Sequence, residues 1–180
     1  LTVIMPVYNE QPTFSRIFDQ VHAKVLPGVD IDLIIVESGS TDGSREAADP
    51  VAARPRVRVI HEPRAFGKGH AVRTALEIAA GDLILIQDAD LEYDVNDYDQ
   101  LVAPLVSGKA AVVLGARHDP KDGSWKMRRF SDDALLSTLM GLGHTAFRVL
   151  FNAVYGTRLR DPFTMFKVFR RDCLHGLTFE

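Results

Sequence analysis

A chain of 180 residues, 46% hydrophobic and 25% charged, is long enough for one domain with a substantial core and has the balance of a globular protein. Its single cysteine, Cys173, excludes an internal disulfide framework and reads as a small buried apolar residue in a reducing compartment. The net charge of −3 divides unevenly: residues 1–100 carry 9 Lys/Arg against 17 Asp/Glu, and residues 101–180 carry 12 against 7, so the first part suits a cation and the second a phosphate or an anionic membrane.

Residues 1–5 (LTVIM) form an apolar run expected as a strand, and residues 12–25 place Phe14, Ile17, Phe18 and Val21 on one helical face. IDLIIV (31–36) is a second strand. The next helix starts near Asp42 or Ser44, either of them a suitable N-cap, and Pro50 disturbs its end. RVRVI (56–60) is a third strand, followed by a helix over 67–81 closed by Gly81. DLILI (82–86) is a fourth strand, residues 95–108 a helix ending at Gly108, and AAVVLGA (110–116) a fifth strand. A polar, basic loop follows Arg117, then 133–156 reads as an apolar helix, and FTMFKVFRRD as a final strand turning into a helix. His144 and Arg148 interrupt the ~18 apolar residues that a membrane span requires, so the long helix is expected to lie at a membrane interface or to pack, not to span. The chain opens without an initiator Met or a basic leader and stops without a terminating signal, so it reads as a piece of a longer polypeptide, truncated at its C-terminal side.

Strand–helix alternation with continuously apolar strands predicts an α/β domain: a mostly parallel sheet with helices on both faces. Ligands of such sheets bind beyond the carboxyl ends of the strands. Tyr8, Asn9, Glu10, Glu37, Ser38, Asp88, Asp90 and Arg117 stand at those ends and are expected to share one crevice. The sharpest local signal is DLILIQDADLEYD, residues 82–94, where a buried strand runs into Asp88, Asp90, Glu92 and Asp94. Clustered carboxylates repel one another unless something positive sits among them. Either Asp88 and Asp90 share a hard divalent cation with Glu92 close by, or one of them caps the next turn; Asp94 reads as surface. GKGHAVR lacks the spacing of a phosphate-binding P-loop, and no G-x-G-x-x-G follows the first strand, which argues against a dehydrogenase.

Six segments in order, VIMPVYNE, IIVESGSTDGSRE, GKGHAVRTALEIAAGD, LIQDADLEYD, LGARH and DPFTMFKVFRRD, make the chain resemble the family 2 glycosyltransferases. Within that family it looks most like the dolichol-phosphate mannose synthase-like, polyprenyl-phosphate branch. The resemblance implies a single GT-A, Rossmann-like nucleotide-diphospho-sugar-binding domain over residues 1–180, with 1–117 the nucleotide-binding half and 118–180 the acceptor-side half. It implies that Asp88, Ala89 and Asp90 form the D-x-D segment holding Mg²⁺ or Mn²⁺ on the donor diphosphate, with Glu92 near the metal. Pro6, Tyr8 and Glu10 would border base and ribose. Glu37 and Ser38 stand where the family usually has two Asp residues, so an acceptor for a base N–H is kept and the carboxylate at position 38 is lost. Lys68 and Arg73 would contact phosphate or base. Arg117, Arg128 and Arg129 would stabilise donor or acceptor phosphate, with Ser131, Thr164 and Lys167 on the acceptor side.

The activity so implied is inverting transfer of a sugar from a UDP- or GDP-sugar to a polyprenyl-phosphate-type lipid, by an enzyme in peripheral contact with the cytoplasmic face of a membrane and with no nucleic-acid partner. A lipid phosphate is already ionised near neutral pH and needs no general base, and the sequence offers no convincing base carboxylate beyond the metal cluster. The alternatives are transfer to a glycan or small-molecule hydroxyl, and a domain that holds a nucleotide-sugar without turnover.

Overall fold

The computed structural model describes residues 1–116 and 134–176. Six strands, β1 (Thr2–Val7), β2 (Asp32–Glu37), β3 (Val57–His61), β4 (Leu83–Ile86), β5 (Val112–Leu114) and β6 (Lys167–Arg170), form one sheet in the order β3-β2-β1-β4-β6-β5. β1 pairs in parallel with β2 and β4, β2 pairs in parallel with β3, and β6 runs antiparallel to β4. The helices are α1 (Gln11–Ala23), α2 (Ser44–Ala48), α3 (Lys68–Ile78), α4 (Tyr98–Val106) and α5 (Ala134–Tyr155).

Alternate strand residues face opposite sides of the sheet, so continuously apolar strands need two cores. Val3, Met5, Val7, Leu33, Ile35, Leu85 and Val168 pack with Phe14, Ile17, Phe18 and Val21 of α1 and with Tyr98, Leu101, Val102 and Leu105 of α4. Ile4, Ile34, Val36 and Ile84 form the second cluster with Ala71, Ala75 and Ala79 at and just beyond α3. The small alanines let that helix lie close to the strands. The expected mostly parallel sheet with helices on both faces is what the chain forms, and α1 buries the four residues its periodicity marked.

Three local expectations are corrected. α3 ends at Ile78 with Ala79 as its C-cap; Gly81 instead sits against β1, where a Cβ would come within 2.6 Å of the Thr2 backbone nitrogen. Cys173 is exposed, because it falls in the 3-10 turn Arg171–Leu174 after β6 and not in a buried helix. That same turn replaces the helix expected after the last strand.

The chain forms two compact units, Leu1–Val113 with Met165–Glu180, and Leu114–Thr164. They divide at different residues from the two functional halves expected from the sequence, because β6 returns to the sheet of the first unit. In the second unit α5 stops at Gly156, whose φ is +63°, and Asn152 fastens the exit: its amide donates to Leu159 O at 2.9 Å and its Oδ1 accepts from Thr157 Oγ1 and Leu159 N. Phe147, Leu150 and Val154, on one side of α5, are exposed. No helix among the described residues is long and apolar enough to cross a membrane.

Candidate functional site

Pro6 opens the site. Ile4 O accepts from Gln87 N, so Ile4, and with it Pro6 two residues on, faces the β4 side of β1. Pro6 has no N–H to offer there, and β4 ends at Ile86, opposite Ile4. Beyond that point β1 continues alongside β2 alone, with Pro6 opposite Val36 and Val7 opposite Glu37. The separation of β1 from the end of β4 leaves a crevice at the carboxyl ends of the central strands, where open α/β sheets bind ligands.

That crevice has a cavity of about 230 Å³ lined by Tyr8, Glu10, Ser38, Lys68, Asp88 and Asp90 among others. Pockets that hold a whole drug-sized molecule run to ~300–1,000 Å³, so this space suits part of a larger ligand, with the rest extending outward. The N-terminal end of α3 borders it through Gly67, Lys68 and Ala71. Backbone N–H groups in a helix's first turn lack intrahelical acceptors and favour an anion.

The loops forming the rim are joined to one another. Asn9, at φ +55°, accepts from Thr41 N at 2.9 Å through Oδ1, while its own N–H donates to Ser40 Oγ. Glu10 N donates to Ser44 Oγ at 2.8 Å, and Gln11 N to Asp42 Oδ2 at 3.0 Å. Asp42 and Ser44, read from sequence as caps of α2, therefore also fix the start of α1; the N-cap position of α2 itself is Gly43. Gly39 adopts φ +69°, and a Cβ there would lie 2.6 Å from Arg64 Cα, so only glycine lets the β2 loop pass the β3 loop.

Asp88 and Asp90 follow β4 on a turn held from below and within. Fully buried Gln87 donates through Nε2 to Asp88 O at 3.0 Å, and the fully buried Tyr98 hydroxyl donates to Gln87 Oε1 at 3.1 Å. Burial pushes the Tyr98 phenol far above its ordinary range, so it remains a donor. Asp90 Oδ1 accepts from Glu92 N at 2.9 Å, a local turn cap. Lys68 forms an ion pair with Asp88, whose side chain is 14% exposed. Burial raises the Glu10 carboxyl above the ordinary carboxylate range, the hydroxyl of Thr13 opposes the rise, and the charges of Asp90 and Asp88 add to it. Three carboxylates, Glu10, Asp88 and Asp90, thus border the crevice with one ammonium group, Lys68, paired to Asp88. Among the described residues no set of three His, Cys, Asp or Glu side chains surrounds a common metal position. Asp88 and Asp90 fit a hard divalent cation as a two-residue donor set, with a bound anion and water completing the oxygen shell.

The structure brings together Pro6, Tyr8, Glu10, Ser38, Lys68, Asp88, Ala89 and Asp90. Glu37 does not join them. Its carboxylate is fully buried, Oε1 accepting from Ser40 N at 2.6 Å and Oε2 lying 3.4 Å from both Arg45 and His61. Burial alone would raise its pKa, but the Ser40 hydrogen bonds, His61 and Arg45 outweigh that and hold it below the ordinary range. Arg73 lies on α3 and is not among the residues lining the cavity, although its guanidinium reaches back toward Gly69. Lys167 starts β6 opposite Ile86, at the same end of the sheet as Asp88. Thr164 lies in the second unit, its N–H 3.4 Å from Asp161 O. Arg117, Arg128, Arg129 and Ser131 lie outside the described residues. Sequence reasoning missed Glu62, a buried carboxylate just after β3 that accepts the Ser38 hydroxyl at 2.8 Å, and missed the Tyr98–Gln87 pair.

Comparison with known proteins finds relatives among the glycosyltransferases. Over 98% of its length the chain is 28% identical to the dolichyl-phosphate beta-glucosyltransferase ALG5C of Trichomonas vaginalis, covering 53% of that protein. It is 31% identical to the mannosyltransferase PcManGT of Pyrobaculum calidifontis, solved with GDP-Man and Mn²⁺, over 67% of this chain and 36% of that one, with a TM-score of 0.58. The glucosyl-3-phosphoglycerate synthase of Mycobacterium tuberculosis, solved with UDP, shares the GT-A fold at a TM-score of 0.69 and 24% identity, over 99% of this chain and 59% of that one. The chain spans from about a quarter to about half the length of the curated relatives it matches. With the profile of Glycosyl transferase family 2 matching residues 2–177, from the first residue of β1 to just beyond the last described turn, the chain belongs to that family.

Proposed function

We propose that the chain carries the donor site of an inverting, divalent-metal-dependent glycosyltransferase that moves a sugar from a UDP- or GDP-sugar to a polyprenyl-phosphate-type lipid. The observation that carries this reading is the crevice where β1 runs on beyond the end of β4, in which Asp88, Asp90, Lys68 and Tyr8 together line a cavity sized for part of a nucleotide and Lys68 is paired with Asp88. Asp88 and Asp90 would hold Mg²⁺ or Mn²⁺, which when bound supplies a Lewis acid for the charge that develops on a leaving diphosphate. Glu92 would act near that site through the turn its N–H makes with Asp90. Tyr8, 51% exposed, presents an aromatic face to a base, and Glu10 and Ser38 present acceptors to N–H or hydroxyl groups. Lys68 at the start of α3 would meet the diphosphate, with Arg73 further along the same helix.

The acceptor side is supported by three observations. The relative from Trichomonas vaginalis is named for transfer to dolichyl phosphate. The 101–180 segment is net basic, with Arg117, Arg128 and Arg129 suited to bidentate phosphate contacts, Ser131 just after them, and Thr164 and Lys167 later in the same segment. The exposed Phe147, Leu150 and Val154 of α5 suit a lipid or the surface of a membrane. Residues 1–117 would thus serve the nucleotide and 118–180 the acceptor, at a cytoplasmic membrane face. A phosphate acceptor attacks as an anion, so no protein base is required.

The test is incubation with a panel of UDP- and GDP-sugars, Mn²⁺ or Mg²⁺, and either a short polyprenyl phosphate or a free hydroxyl acceptor. The expected product is a polyprenyl-phosphate sugar of inverted anomeric configuration, read by NMR, and lost on chelation. Product on the hydroxyl acceptor alone, retention of configuration, or full turnover in chelator would overturn the reading.

A further inference from the structure

Ser38 lines the crevice, yet it is only 5% exposed and its hydroxyl is already engaged. The structure sets a carboxylate behind it from a different part of the sheet. Glu62 follows β3, is 5% exposed, and accepts the Ser38 hydroxyl through Oε2 at 2.8 Å. Its Oε1 lies 3.3 Å from both Thr74 Oγ1 and His70 Nε2 of α3, and its backbone N–H donates to Glu37 O at 2.8 Å. The carboxylate is therefore held from two elements and has little freedom to turn away from Ser38.

An ionised carboxylate can only accept hydrogen bonds, and a serine hydroxyl has one proton to donate. With that proton committed to Glu62, Ser38 offers lone pairs to the crevice it lines. We infer that Ser38 and Glu62 form a base-reading pair, in which Glu62 fixes the serine as an acceptor and the crevice thereby selects bases with a ring N–H donor. Uracil and guanine carry such an N–H at N3 and N1. Cytosine and adenine carry an acceptor nitrogen at the matching place, which would face a second acceptor and leave both unpaired. Glu62 is absent from the cavity lining, so it is a positioning residue acting through Ser38. The inference rests on the reading that this crevice takes a nucleoside diphosphate.

The experiment is calorimetric binding of UDP, CDP, GDP and ADP, each with Mn²⁺, to the wild type, Glu62→Gln and Ser38→Ala, with far-UV circular dichroism to establish that each variant is folded. The wild type should bind UDP over CDP, or GDP over ADP, by more than tenfold. Glutamine can donate to Ser38 and release the serine proton toward the crevice, so in Glu62→Gln the ratio should fall below about threefold, mainly through tighter CDP or ADP binding. A merely structural Glu62 would weaken all four ligands in proportion and leave the ratio unchanged. Ser38→Ala, which removes the reader without touching the buried carboxylate, should lose the discrimination as well, and N3-methylated UDP should bind the wild type more than tenfold more weakly than UDP. Wild-type protein that binds none of the four overturns the nucleotide reading itself. Wild-type binding with an unaltered ratio in Glu62→Gln overturns the pair alone.

Discussion

Tyr98→Phe isolates the support beneath the aspartate turn. The substitution keeps the ring in the α4 core and deletes one hydroxyl, so the cavity left is small and the hydrogen-bond change dominates. In the wild type that hydroxyl donates to Gln87 Oε1 at 3.1 Å, and both side chains are fully buried. A buried acceptor stripped of its donor costs about 1–3 kcal/mol. Taking the middle of that range at about 2 kcal/mol, the expected loss of Tm is roughly 4–8 °C for a chain of this size. The consequence for the site follows from the other end of Gln87, whose amide donates to Asp88 O at 3.0 Å. A Gln87 side chain freed to rotate no longer fixes the peptide that sets Asp88 against Asp90, and Mn²⁺-dependent nucleotide binding should weaken by about fivefold, near 1 kcal/mol. Urea unfolding and calorimetry read the two effects separately. Pairing Tyr98→Phe with Gln87→Leu gives a cycle in which the double variant should be less destabilised than the two singles combined, by about 1 kcal/mol, because neither partner is left alone. Stability within about 0.5 kcal/mol of wild type, the ordinary range of an inconsequential substitution, together with an additive cycle, would refute the view that this pair carries the turn.

Asp90→Asn keeps an oxygen for the Glu92 N–H, so the fold should persist while Mn²⁺-dependent nucleotide binding falls more than tenfold, at least about 1.4 kcal/mol; unchanged affinity by calorimetry would remove the metal assignment. Gly39→Ala meets a positive φ of +69° and the Arg64 backbone 2.6 Å from its Cβ, and should cost at least about 2 kcal/mol in urea unfolding. Glu37→Gln should cost about 2 kcal/mol at pH 7, where the buried carboxylate accepts charge-assisted bonds. Because the folded pKa of Glu37 is depressed below 4.5, its stabilising contribution is present above that pH and disappears as pH falls through the folded value. The gap between wild type and Glu37→Gln should therefore be widest near neutrality and close in acid; a gap constant from pH 7 to pH 3 would mean that ionisation of Glu37 contributes nothing.

The sheet and the site's outline were legible because their signals are local. Apolar runs locate strands whichever partner they find, and the 3.6-residue pattern of Phe14, Ile17, Phe18 and Val21 marks one face of α1. The carboxyl-end rule then gathers Tyr8, Glu10, Ser38, Asp88 and Asp90 without any knowledge of their contacts. What stayed hidden depends on pairings between distant residues. Nothing near Lys167–Arg170 says that this strand will enter antiparallel beside β4, far ahead of it in the chain. Glu37 and Glu62 look alike on paper, each a carboxylate at a strand's end. The structure turns Glu37 inward to hold Ser40, Arg45 and His61, and places Glu62, 24 residues past Ser38, behind the serine. Gly81 reads as a helix stop from its place after an alanine-rich run, yet its real constraint is the Thr2 backbone, 79 residues away in sequence.

Charge decides how such a crevice can accept its ligand. Glu10, Asp88 and Asp90 border it, and the ammonium group of Lys68 is already paired with Asp88. A diphosphate placed beside them brings further negative charge, and two like unit charges about 4 Å apart repel by roughly 4 kcal/mol at the effective dielectric of a protein surface. A donor site of this composition therefore disfavours a bare nucleotide and favours one that arrives with a cation. On the proposed function Lys68 would have two anionic partners in succession. Before binding it neutralises Asp88, which keeps a half-buried aspartate turn from repelling itself apart. Were Asp88 to hold a cation on a bound donor, the same ammonium group would be free to turn toward the phosphates at the start of α3. On the proposed function, the lysine in GKGHAVR would stand in for the cation until the donor delivers one, a purpose distinct from that of a phosphate loop or a solvated surface charge.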